Sequence, residues 1–281
     1  MNTQTTKRIG AVSQCAVALL AALFFSQTEA TEPVLALHLA GKPTNKISLV
    51  ELQEKLQSHS IRFFNSYANK EKNYEAFAIE DVLDFVYPER KTSDQYTAVA
   101  FIALDGFEAV MNLATLQQKG GFLAFRDLDM AEGWETVGKK QADPGPFYLV
   151  WTGKGQTAAN GYAWPYQVAG LNLLRFEDQY PHVFPKGAQA NSPAYRGFET
   201  FRVRCMACHA MDTQGGKIGP DLNAPQSITA YRSKEMIKEF IKNPFQYRYT
   251  TMPPHIDLSD DKLEDLYLYL KFQGEKREAS L

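Results

Sequence analysis

Hydrophobic and polar positions alternate with two different periods along this chain, and the change of period divides it. Between residues 48 and 57, Leu49, Leu52 and Leu56 recur at helical spacing behind Ser48 and Glu51, which stand in capping-box positions. A second helix is expected over "AIEDVLDFVY", stopped at Pro88. Around these lie four runs rich in aromatic and β-branched residues: "SIRFFNSYA", "YTAVAFIAL", "GGFLAFRDL" and "PFYLVWTG". Each reads as a strand. The mixture predicts an α+β domain over residues 31–185. A Pro, Gly and Asn cluster then marks a linker at 186–191. From Ser192 onward the period is helical: Ser192 caps, Pro193 takes the first helical position, and "AYRGFETFRVR" continues. Near the end, Leu263, Leu266, Tyr267 and Leu270 form one apolar helical face. The expected layout is multidomain, with the α+β domain followed by a small all-α domain over 192–281. No internal repeat or low-complexity tract interrupts it.

The first 30 residues follow another rule. Lys7 and Arg8 precede the apolar run "IGAVSQCAVALLAALFF", and small residues follow up to Ala30. That order of charge, grease and small residues predicts a secretory signal peptide over 1–30, cleaved after Ala30, and hence a periplasmic location. Retained instead, the run is about the minimum length for a membrane anchor. Cys15 precedes most of the apolar core, a poor position for lipid attachment. The chain's net charge of −2 argues against a general nucleic-acid binder.

Cysteine usage sharpens the picture. Of three cysteines, Cys15 lies in the removable segment, so the mature chain keeps Cys205 and Cys208 and has no disulfide framework. These two stand in Cys205-Met206-Ala207-Cys208-His209. Two thiols so spaced can reach both vinyl groups of one porphyrin, and the adjacent imidazole of His209 then faces the iron. A thioredoxin-like pair needs no such histidine, and zinc needs two further ligands from among the distant His38, His59, His182 and His255. The first, third and second of these, His38, His182 and His59, read more simply as strand-end polar residues. A second axial ligand must come from a separate segment, and Met252, stiffened by Pro253 and Pro254, supplies a thioether well downstream. His255 is the alternative at that position, and an ordinary core methionine is the alternative for Met252. Met211 lies too close to His209 to reach the other face.

"CMACH", "GGKIGPDLN", "TTMPPH" and the terminal amphipathic helix together resemble a class I cytochrome c domain, over roughly residues 190 to 275. The resemblance implies a small helical fold with one covalent haem c, His209 below the iron and Met252 above it, and Pro220 on the histidine side with a carbonyl orienting the imidazole. The segments "ALDGFEAVMNLATL", "GGFLAFRDLD", "GPFYLVWTG" and "YAWPYQVAGLNLLRF" resemble the molybdopterin-binding domain of sulfite-oxidase-type enzymes, over roughly 45 to 185. That family binds molybdenum through a cysteine thiolate, and no cysteine occurs between Thr31 and Arg204, so molybdopterin is not expected here. The bland reading makes Asp105-Gly106-Phe107 a turn and Trp164-Pro165 part of the core.

Function then follows from the iron. With His209 and Met252 filling both axial positions, single-electron transfer remains, so the chain reads as an electron carrier or electron-transfer subunit more than a stand-alone enzyme. Redox proteins are its expected partners, and the first domain recognises one of them or a substrate. The rival readings are a two-domain redox enzyme that feeds the haem internally and a haem-based sensor.

Overall fold

The computed structural model describes residues 1–3, 32–65, 67–138 and 141–279. The expected signal segment, with Cys15 and the cleavage position at Ala30, lies outside the described residues. Among the described residues, no helix is long and apolar enough to cross a membrane.

The N-terminal region is sheet-rich. In chain order it runs β1 (Val34–Leu39), β2 (Lys42–Ser48), α1 (Leu49–Lys55), β3 (Ser58–Asn65), β4 (Lys70–Ala78) and α2 (Ile79–Val86). Then follow β5 (Ala98–Ala103), β6 (Glu108–Asn112), α3 (Leu113–Leu116), β7 (Gly121–Asp127), β8 (Tyr148–Trp151), β9 (Val168–Leu174) and α4 (Phe176–Gln179). The strands form a five-stranded sheet in the order β2-β1-β9-β5-β6 and a four-stranded sheet in the order β3-β4-β7-β8. Among the described residues, only the β1–β9 pairing is parallel. Both expected helices form, and at α1 the Ser48 hydroxyl and Glu51 carboxylate complete the reciprocal cap. The four expected strands appear as β3, β5, β7 and β8. The Asp105 segment forms the turn between β5 and β6, and Trp164 is buried.

The five-stranded sheet is covered on both faces, which explains the unbroken apolar run of β5. On one face, Leu35, Leu37, Val99, Phe101, Leu171 and Leu173 join the core between the sheets. On the other, Ala98, Ala100 and Leu174 join Phe176, Tyr180 and Val183 in a second core that includes residues of the C-terminal helices. Glu32–Leu281 is one compact unit.

The C-terminal region is helical: α5 (Pro193–Arg204), the two-residue strands β10 (Ala210–Met211) and β11 (Gln214–Gly215), α6 (Ile228–Tyr231), α7 (Lys234–Lys242) and α8 (Asp260–Glu278). Residues 186–191 before it carry no helix or strand. On α8 the buried face is Leu263, Leu266, Tyr269 and Leu270, while Tyr267 is half-buried beside it. Two of the three histidines expected at strand ends are there, His38 in β1 and His59 in β3. His182 instead sits in a turn between Pro181 and Pro185, which cannot donate to a sheet ladder, and its backbone N–H donates to Gln214 Oε1 at 2.8 Å.

Candidate functional site

The Cys205–His209 segment is carried on the end of α5, and the placement of α5 is over-determined. Phe198 and Phe201 are buried against Tyr269 of α8, with ring centroids 6.0 and 5.2 Å apart. The helices touch at Gly197, where a Cβ would lie 1.9 Å from the Asp265 carbonyl oxygen and 2.7 Å from Tyr269 Cβ. Only a residue without a side chain fits that crossing. Arg196 grips Asp265 with two bonds of 2.7 Å, and the Tyr269 hydroxyl donates to the Val183 carbonyl at 2.7 Å. On the sheet side, Arg202 lies between the rings of Phe176 and Phe198 and donates to Asn112 and to Glu199.

Past the helix end the chain keeps winding. The N–H groups of Cys208 and His209 donate to the Cys205 carbonyl at 3.0 and 2.8 Å. This extra turn puts residues three apart on one side, so Cys205 and Cys208 share a face. Both are free thiols, Cys205 buried in the second core and Cys208 half-buried. Burial pushes the Cys205 thiol up to about 12 and raises that of Cys208, so both are protonated at neutral pH.

His209 is oriented from behind. Its Nδ1 lies 2.8 Å from the Pro220 carbonyl oxygen, which can only accept, so Nδ1 carries the proton and Nε2 keeps its lone pair. Gly219 lies flat against the ring: a Cβ there would be 2.4 Å from Cε1. The segment is fixed in turn by Asp221. Burial works to raise its pKa, but N–H donors from Thr213, Asn223, Ala224 and Asp212 outweigh it and hold the carboxyl below its ordinary range.

Met252 stands on the loop between α7 and α8, half-buried and packed against the same second core as Cys205. His255 follows, buried, with its N–H donating to the Ile241 carbonyl at 3.1 Å. Its Nδ1 is 3.0 Å from Arg204 Nη2, and a guanidinium only donates, so Nδ1 accepts and the proton of the neutral ring sits on Nε2. Burial first, then the Arg204 charge, lower the His255 pKa and keep that ring neutral. Among the described residues, no three His, Cys, Asp or Glu side chains cluster to hold a metal ion.

The structure thus brings Cys205, Cys208 and His209 onto one turn and packs the half-buried Met252 against the second core, to which Cys205 belongs. The donor set fits one haem: two thiols on a common face, an imidazole with an available Nε2, and a thioether in reach of the same core. Sequence reasoning missed Arg204, Asp257, Gly197, Gly219 and Asp221. An arginine directly before the first cysteine and a glycine inside an apolar helix face were the available signals.

Among protein families, the one described as cytochrome C oxidase, cbb3-type, subunit III, matches residues 192–270. The match supports a class I cytochrome c domain in the C-terminal part, with haem binding and haem-based electron transfer. It runs from the Ser192 cap into α8 and does not reach the sheet-rich region, whose resemblance to molybdopterin-binding domains has no support in it. No curated protein matches the chain.

Proposed function

We propose that this chain is an exported c-type cytochrome that carries single electrons, in which Cys205 and Cys208 would attach haem c and His209 Nε2 and Met252 Sδ would hold its iron. Bound haem supplies a one-electron couple that exchanges without bonds to substrate being made or broken. The observation that carries the reading is the 2.8 Å contact between His209 Nδ1 and the Pro220 carbonyl oxygen. With Nδ1–H donating to the Pro220 carbonyl, the neutral ring offers a fixed Nε2 lone pair beside the thiol pair. The same logic favours Met252 over His255 for the opposite side, because the His255 proton sits on Nε2 while Arg204 occupies Nδ1. The Pro220 carbonyl makes the His209 ring a better donor, and the fixed end of α5 keeps the site from rearranging as charge changes. The order of charged, apolar and small residues over 1–30 supports export, and in this reading the sheet-rich region would recognise the redox partner.

The haem should stay with the polypeptide through denaturing electrophoresis, at one per chain. Cys205→Ala with Cys208→Ala should release it, and mass spectrometry of the exported protein should find Thr31 at its start. The oxidised protein should show the weak far-red sulfur-to-iron band, and Met252→Ala should lack it. Loss of haem from the unaltered chain on denaturation refutes the attachment. Absence of the band refutes Met252 as ligand.

A further inference from the structure

Arg204 is the last residue of α5, beside Cys205, and its side chain is 13% exposed. Its guanidinium meets Asp257 with both nitrogens, Nη1 to Oδ2 at 2.7 Å and Nη2 to Oδ1 at 2.9 Å. Nη2 also donates to His255 Nδ1 at 3.0 Å, and Nη1 reaches the Ala159 carbonyl at 3.4 Å. The parallel two-point contact is the strong, directional form of an arginine–carboxylate pair. Four contacts therefore join three segments at one cation: the end of α5, the loop that follows Met252, and the short turn at Ala158–Asn160 of the sheet-rich region.

The loop that Arg204 grips has few holds of its own. Thr251, Pro253, Pro254 and Ile256 are exposed, and Pro253 and Pro254 have no N–H to give. Its anchors are the backbone N–H of His255 to the Ile241 carbonyl, that of Leu258 to the His255 carbonyl at 3.2 Å, that of Met252 to the Thr250 hydroxyl at 3.2 Å, and the burial of Leu258. We propose that Arg204 is a positioning residue that latches the Met252 loop to the end of α5, and so sets how firmly the thioether keeps other ligands off the iron. This inference rests on the reading of Met252 as the axial ligand. The latch ties the segment that carries the thiols to the loop that carries the methionine.

The test is the affinity of the oxidised, haem-loaded full chain for added imidazole, which competes with the thioether, together with the far-red band. Arg204→Gln and Asp257→Asn should each raise imidazole affinity roughly tenfold, the scale of one lost charge-assisted contact, and weaken the band. Arg204→Lys, which keeps the charge but not the fork, should fall between. Asp265→Asn, which cuts the similar fork to Arg196 away from the loop, should lower thermal stability and leave imidazole affinity unchanged. If the unaltered chain shows the band but Arg204→Lys and Asp257→Asn bind imidazole no better than it does, the latch is refuted and the ligand reading stands. If the unaltered chain lacks the band, or Met252→Ala gains no imidazole affinity, the ligand reading fails and the latch falls with it.

Discussion

Replacing Gly197 with alanine sets two effects of opposite sign against each other. Helix propensity favours the change by about 1 kcal/mol, because alanine loses less backbone freedom than glycine in a helix. Geometry opposes it. The new Cβ would stand 1.9 Å from the Asp265 carbonyl oxygen and 2.5 Å from its carbonyl carbon. An ordinary carbon–oxygen contact is about 3.3 Å, so α5 and α8 must part by more than 1 Å. The obstacle is backbone, and it cannot rotate aside. Parting the helices loosens Phe198, Phe201, Leu266, Tyr269 and Leu270 together, and a gap of that size forfeits about half the dispersion energy of the atoms facing it. Overpacking and loosening together cost about 3–4 kcal/mol. Net destabilisation is therefore about 2–3 kcal/mol, which for a chain of this size lowers the unfolding midpoint by roughly 4–6 °C. Thermal unfolding of the haem-loaded protein, followed by far-ultraviolet circular dichroism, measures it. An unchanged or higher midpoint for Gly197→Ala would mean that propensity wins and that the helices do not cross as closely as described.

Three further outcomes are expected. Arg204 holds the Asp257 carboxyl at about 2, below its ordinary 3.8, so the contact stabilises the fold above about pH 4 and is lost as pH falls from 4 towards 2. Half-exposure discounts it to roughly 1 kcal/mol, and an acid-unfolding curve of Asp257→Asn with the same slope as the unaltered chain in that window would contradict the assignment. Gly219→Ala should push the His209 ring off the Pro220 carbonyl, make it a poorer donor and raise the reduction potential by on the order of tens of millivolts; an unaltered potential in a redox titration rules this out. Arg202→Leu should cost about 1–3 kcal/mol in denaturant unfolding by leaving Asn112 without its donor, and an unchanged midpoint would show that the buried cation contributes nothing there.

Much of this molecule is legible from local pattern, and the remainder depends on partners far away in sequence. The Ser48 cap, the stop at Pro88, the Ser192–Pro193 helix start and the continuous apolar run of β5 are all set by neighbouring residues, and each forms where expected. β4 was not legible, because "KEKNYEAFA" places a lysine at an inward position. Lys72 is buried there only because Asp127, Asp129 and Glu135 arrive from later in the chain, at 2.8, 3.2 and 3.0 Å. β9 hides behind Gly170, which lies close to the Ala36 backbone of its parallel neighbour. In the site, the Cys205–His209 spacing and the separate methionine stand out in the sequence. The seat of Arg204 does not, since Ala159, His255 and Asp257 come from two distant segments.

The second core has a consequence for how a partner meets this molecule. Ala98, Ala100 and Leu174 of the five-stranded sheet are packed in one apolar body with Cys205 and Met206, and Arg202 lies over Phe176 and Phe198 of the same body and bonds to Asn112. A domain on a flexible tether can swing between a donor and an acceptor, and its encounter rate depends on tether length. Here there is no such swing. Under the proposed function, a protein caught by the sheet-rich surface would meet the thiol-bearing turn in a single fixed attitude, so the distance an electron must cross would be decided at capture and would not vary from one visit to the next. What such an arrangement would give up is reach: an acceptor unable to bring its own redox centre to that edge would not be served.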